Sequence, residues 1–260
     1  MKAEVRVGTS GYSFADWIGP FYPQGIEKGK MLDFYVDYFD TVEVNSTYYR
    51  IPHPRVMANL EKKTPAGFQF MVKAHSSATH QRDQLEESAP AYFESLQPIA
   101  ESGKLRGILA QFPWSFKRSR SNAEHLRRCR DVFADYPLFM EFRHNSWLTP
   151  KLFDWLSKNQ IGYVSVDEPQ LEGMLDADAV ATTRTGYIRL HGRSAEQWWD
   201  GGALRYDYLY NDAELQEWVA KIERMREQTD AVYVYFNNCH EGQAVTNARR
   251  ILEMLDVAAN

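Results

Sequence analysis

Apolar and polar positions along this chain follow two alternating rhythms. Short runs rich in β-branched and aromatic residues, which read as strands, occupy 5–9, 41–46, 68–74, 105–112, 138–142, 162–167, 187–191 and 231–237. Between them lie stretches whose apolar residues recur at helical spacing: 30–39, 54–63, 89–102, 122–135, 150–159, 212–228 and 242–255. In the first of these Met31, Phe34, Tyr35 and Tyr38 share a face. The second begins at Pro54, where a missing N–H costs little. Asn122 and Asp212 are the expected N-caps of their helices. The link at 168–185 carries no helical pattern, and the link at 192–211 is long and holds Trp198 and Trp199.

Strands separated by helical crossovers must pair in parallel, and eight such units predict closure into one (β/α)8 TIM barrel over 1–260. A doubly wound open sheet is the competing architecture, but the first loop, GTSGYS, lacks the GxGxxG spacing of a dinucleotide site. A length of 260 residues is ordinary for one barrel, and 44% hydrophobic residues suffice for its core.

Side chains alternate faces along a strand, so every second residue enters the barrel. The apolar set, expected to pack on the helices, is Val42 and Val44, Phe70 and Val72, Met140 and Phe142, Val164 and Val166, Ile188 and Leu190, and Val234 and Phe236. The opposite set is Glu43 and Asn45, Met71 and Lys73, Glu141 and Arg143, Ser165 and Asp167, Arg189 and His191 with Arg193 just beyond, and Tyr235 and Asn237. A barrel interior is ordinarily filled with Val, Ile and Leu, whereas this one gathers both signs of charge near its strand ends. Buried charge is costly unless paired, so ion pairs inside the barrel are expected. Such a network can serve as a plug, and Arg189, the deepest, suits that role. The C-terminal face is also where barrels place their chemistry. The candidate catalytic residues are therefore Glu43, Glu141, Asp167 and His191, with Glu43 and Glu141 sharing acid and base roles. The candidate ligand contacts are Thr9, Ser10, Tyr12, Asn45, Tyr49, Lys73, Arg143, Arg193 and Asn237, the cations holding an anionic group.

Other features change this picture less. The loop after the first strand carries Tyr12, Trp17, Phe21 and Tyr22, which could stack on a sugar or close the loop as a small apolar core. Lys117, Arg118, Arg120, Arg127, Arg128 and Arg130 form a basic run that reads as a solvated helix face or as a phosphate-backbone surface. Glu43, Glu141, Asp167, His191, His75 and His240 could supply ligands to a divalent metal, but no HExxH or close histidine pair supports one, so no metal residues are assigned. The net charge of −5 disfavours nucleic acid as a partner. Two cysteines build no disulfide framework, the N-terminus shows no apolar signal segment, and no run approaches a membrane span, so a cytoplasmic protein with no membrane partner is expected.

Nine segments together resemble the YecE-like family, domain of unknown function number seventy-two: 8–23 GTSGYSFADWIGPFYP, 42–52 VEVNSTYYRIP, 68–75 FQFMVKAH, Thr79-His80, 107–116 GILAQFPWSF, 141–147 EFRHNSW, 166–169 VDEP, 187–193 YIRLHGR and 232–238 VYVYFNN. Trp114 departs from the pattern, which has a second proline after QFP. The resemblance implies a TIM barrel and no established activity. At fold level it points to barrels that act on sugars or on abasic DNA. Three readings follow: an enzyme acting on a small sugar-like or phosphorylated ligand, such as a hydrolase, isomerase or lyase; a nucleic-acid-binding repair protein; and a non-catalytic module that binds a metabolite.

Overall fold

The computed structural model describes residues 2–259, with side chains to Asp256. Eight parallel strands follow one another around a single sheet: β1 Glu4–Thr9, β2 Thr41–Val44, β3 Gln69–Lys73, β4 Leu105–Gln111, β5 Leu138–Glu141, β6 Gly162–Asp167, β7 Thr185–Leu190 and β8 Ala231–Phe236. β1 pairs with β8 along its length. The remaining seam, between β1 and β2, closes at its C-terminal end, where Ser10 bridges Glu43 and the Gly11 N–H donates to the Glu43 carbonyl at 2.8 Å. The fold is the expected (β/α)8 barrel.

The helices are α1 Met31–Tyr35, α2 Ser46–Tyr49, α3 Pro54–Lys62, α4 Ser76–Thr79, α5 Leu85–Glu101, α6 Arg120–Val132, α7 Pro150–Lys158, α8 Asp212–Arg226 and α9 Gln243–Ala259. The short α2 and α4, each one turn in a loop, escape any periodicity argument. Two caps differ from expectation. Ser119 caps α6 by accepting from the Asn122 N–H, and Asn211 caps α8 in a reciprocal box with Glu214. Each cap lies before the residue predicted, because a cap must precede the first helical N–H it serves. α5 begins at Leu85, four residues early, with Glu86 and Glu87 favourably placed in its first turn. The stretch between β6 and β7 has no helix, as expected, and one 3-10 helix, Gly202–Tyr206, lies between β7 and α8.

Packing inside the barrel explains two glycines. Phe139 projects inward from β5, and a Cβ on Gly107 or Gly162 in the flanking strands would stand 2.4 or 2.1 Å from its ring. Tyr187 meets the same ring edge-on, at 5.2 Å between centroids. Nearby, the Thr41 and Tyr235 hydroxyls share a hydrogen bond across the lumen. Above this layer, toward the C-terminal ends, the filling turns ionic.

Candidate active site

Arg189, on β7, lies at the centre of the barrel and is 1% exposed. Its guanidinium grips Glu43 of β2 with a fork, Nε to Oε2 at 2.8 Å and Nη2 to Oε1 at 2.7 Å, and reaches Glu141 of β5 through Nη1 at 2.6 Å. The Tyr187 hydroxyl donates to the same Glu43 carboxylate. Arg143, one step nearer the mouth, donates from Nε to Glu141 at 2.6 Å, from Nη1 to Glu168 at 3.1 Å, and lies 3.0 Å from His191 Nε2 through Nη2. Asn237 Nδ2 stands 2.9 Å from the other ring nitrogen of His191. The ion pairs expected inside the barrel are therefore present as an ionic plug around Arg189, and Glu43, Glu141, Arg143, His191 and Asn237 converge on it.

Burial and charge set the protonation of this cluster. Burial alone would raise the Glu141 carboxyl, but Arg143 and Arg189 beside it hold it well below the usual range. Burial, reinforced by the same two guanidiniums, keeps His191 well below its ordinary value and so neutral. Glu168 moves the other way: burial pushes it up to about 7 despite Arg143 and the Leu175 N–H. Lys73 is held down at about 8, first by burial and then by Arg189. Its Nζ donates to Gln111 Oε1 at 2.9 Å and sits 4.6 Å from the centre of the Tyr48 ring.

Above the plug opens a cavity of about 410 Å3 whose lining includes Ser10, Tyr12, Asn45, Tyr49, Lys73, Arg143, Arg189 and Asn237. Arg143 and Tyr206 also border a second hollow of about 190 Å3, walled by Trp114, Trp198 and Trp199. Asn45 Oδ1 is buried with no hydrogen-bond partner among the protein groups, as is the Trp114 indole nitrogen.

Three sequence-predicted residues lie elsewhere. Asp167 faces the helix layer, accepting from the Trp218 indole at 2.7 Å and from Arg193 Nε at 3.0 Å. On β6 the inward residues are Gly162, Val164 and Val166, in register with Tyr187 and Arg189 of β7. This strand is buried on both faces, and its valines are the ones that fill the barrel, so polarity assigned the wrong face. Arg193 also points outward, to Asp167, Glu214 and Glu217. Gly192, at φ 96°, turns the chain at the strand end, and alternation does not survive a left-handed residue. Thr9 is likewise turned to the outer layer, sharing hydrogen bonds with the Tyr35 hydroxyl.

Sequence reasoning missed Glu168, Tyr187 and Gln111. Two were findable, since Tyr187 lies two residues before Arg189 and Gln111 follows Gly107 and Leu109; Glu168 continues the Val164, Val166 phase, which alternation assigned to the helix side. The first-loop aromatics form the small apolar core: Trp17 and Tyr22 are buried, the indole donating to the Cys239 carbonyl at 2.7 Å. In the basic run, Arg128 pairs with Glu86, Arg130 with Asp131 and Arg120 with Glu124. Among the described residues no group of three or more His, Cys, Asp and Glu side chains is arranged to hold a metal ion. No described helix is long and apolar enough to cross a membrane.

Residues 6–260 match the family model described as protein of unknown function DUF72. The UPF0759 protein YunF of Bacillus subtilis is 34% identical over 271 residues, covering 97% of this chain and 95% of its own length. A DUF72 family protein from Thermotoga maritima MSB8 superposes with a TM-score of 0.91 at 38% identity, over 97% of this chain and 99% of that one. One from Enterococcus faecalis V583 gives 0.88 at 29%, over 97% and 95%. A D-psicose 3-epimerase, with a TM-score of 0.57 and 11% identity over 96% and 97% of the two chains, shares the barrel fold alone.

Proposed function

The chain belongs to the DUF72 family of proteins of unknown function, so its activity must be read from its own site, and we propose that it is an enzyme acting on a small sugar-like or phosphorylated ligand in the cavity above the plug. The observation that carries this reading is the buried, unpartnered Asn45 Oδ1 on a wall shared with Lys73 and Arg143. An unsatisfied buried acceptor costs about 1–3 kcal/mol and persists where something outside the protein satisfies it. A ligand hydroxyl is a donor of that kind. Arg143 spends three of its five N–H groups on Glu141, Glu168 and His191, which leaves two for an anion.

The carboxylate roles then separate. Glu43 and Glu141, fully buried and ion-paired to guanidiniums, hold Arg189 and Arg143 in place. Among the carboxylates, the proton carrier suited to neutral pH is Glu168, at about 7. Ser10, Asn45 and Asn237 orient hydroxyls. Calorimetric titration with glucose 6-phosphate, ribose 5-phosphate and inorganic phosphate tests the reading. At least one should bind to wild type and lose roughly tenfold or more in affinity on Asn45→Ala, a loss of about 1.4 kcal/mol. Absence of binding by all three, or equal binding by N45A, overturns it.

A further inference from the structure

Among the cations at the mouth, Lys73 differs from the rest. Arg189 and Arg143 each contact two carboxylates, and Arg193 is drawn outward by three. Lys73 lines the cavity, yet among the described residues no carboxylate lies within ion-pair distance of its Nζ. Its Nζ donates instead to the neutral Gln111 amide at 2.9 Å. The strand end that carries it is fixed, since its own carbonyl accepts from the Thr47 hydroxyl at 2.6 Å and the Tyr92 hydroxyl at 3.1 Å. An amine so placed, partly desolvated and beside guanidiniums, is the arrangement in which lysine becomes a nucleophile.

We propose that Lys73 forms a covalent imine with the carbonyl carbon of a small hydroxylated aldehyde or ketone bearing an anionic group. The proposal rests on the small-ligand reading of this cavity and adds the substrate class and the bond. Unprotonated Nζ attacks the carbonyl carbon; the C–N bond forms as the π pair moves to oxygen, giving a carbinolamine. The C–O bond then breaks, and the oxygen leaves as water with one proton from Nζ and one from solvent. The product is a protonated imine, an electron sink for proton removal or C–C cleavage at the adjacent carbon. Arg143 and Asn45 hold the anion and a hydroxyl while this happens.

The groups facing Nζ agree with this chemistry. They are Gln111 on β4, Tyr48 on α2, His80 after α4, Arg189 on β7, Glu43 on β2, Glu141 at the end of β5 and Arg143 two residues beyond it. Burial and Arg189 bring the amine down to about 8, the two glutamates offsetting only part of this. Near pH 7 the free-base fraction is then on the order of a hundredfold above that of an exposed lysine.

Reductive trapping tests the proposal. The full-length protein is incubated at pH 7 with glycolaldehyde phosphate or glycolaldehyde and cyanoborohydride, and peptides are mapped by mass spectrometry. Lys73 should be labelled on the order of tenfold faster than exposed lysines such as Lys30, faster with the phosphorylated probe, and inorganic phosphate should slow it. Folded K73R should lose that label and keep the background. Uniform labelling of lysines, or a Lys73 rate that phosphate leaves unchanged, overturns the proposal. Calorimetric binding of phosphate without Lys73 labelling overturns the imine and leaves the small-ligand reading standing; neither binding nor labelling overturns both.

Discussion

Asp167 and Glu168 are adjacent carboxylates with opposite surroundings. Asp167 is buried against α8, where its oxygens accept from the Trp218 indole and the Arg193 guanidinium. Asp167→Ala leaves the Trp218 indole without its acceptor and takes from Arg193 the partner of its Nε, Glu214 and Glu217 remaining, and should cost about 2–4 kcal/mol. Asp167→Asn keeps an acceptor for the indole and should cost less. Urea denaturation at pH 7 gives the order wild type, D167N, D167A. If the alanine variant is as stable as wild type, the outward assignment of Asp167 is wrong. Alternation on β6 would have placed this carboxylate in the pocket. The strand could not reveal its face because both of its faces are buried, one in the lumen and one under the helices.

At the scale of elements, β4, β5 and β6 are fitted around one ring. Gly107 and Gly162 leave the space that Phe139 fills, and the observed spacing admits no Cβ at either position. Gly162→Ala should destabilise by about 1–3 kcal/mol through overpacking. Phe139→Leu in the same chain should recover part of that loss, so the two changes together cost less than their sum. A double-mutant cycle in urea measures the coupling, and strict additivity would rule out this contact as the reason for the glycine. The eight strands themselves were legible in the alternation of β-rich and helical stretches. Two of the predicted caps were off by one or three residues, because capping depends on which N–H groups are free once the helix has formed.

For the whole molecule, the ionic filling of the barrel makes stability depend on pH. Folding raises the Glu168 carboxyl from the usual 4.5 to about 7, so between these values the folded state binds more protons than the unfolded state. Stability from this group is full below about 4.5 and falls as pH rises to about 7. Lys73, lowered from 10.5 to about 8, contributes the reverse slope above pH 8. Glu168→Gln removes the first dependence. Relative to E168Q, the wild type should lose about 2–3 kcal/mol between pH 5 and pH 8 in urea denaturation, each pKa unit being worth about 1.36 kcal/mol. Parallel curves for the two proteins would show that Glu168 does not titrate in this range.

Sequence alone determined the barrel, its single-sheet order and most of the plug. Period-two alternation fixes which side chains enter the lumen wherever one face is apolar and the other charged, as with Glu43, Glu141 and Arg189. Tertiary structure decided what those charges do. The lengths and directions of the hydrogen bonds tie Glu43 to Arg189 and Glu141 to both Arg189 and Arg143, and the positive φ of Gly192 turned Arg193 away. Arg189 and Arg143 pair with the nearby acids, and among the described residues Lys73 has no carboxylate within ion-pair distance. Which charges pair is settled by distances between strands far apart in the chain, and no local pattern of residues contains them.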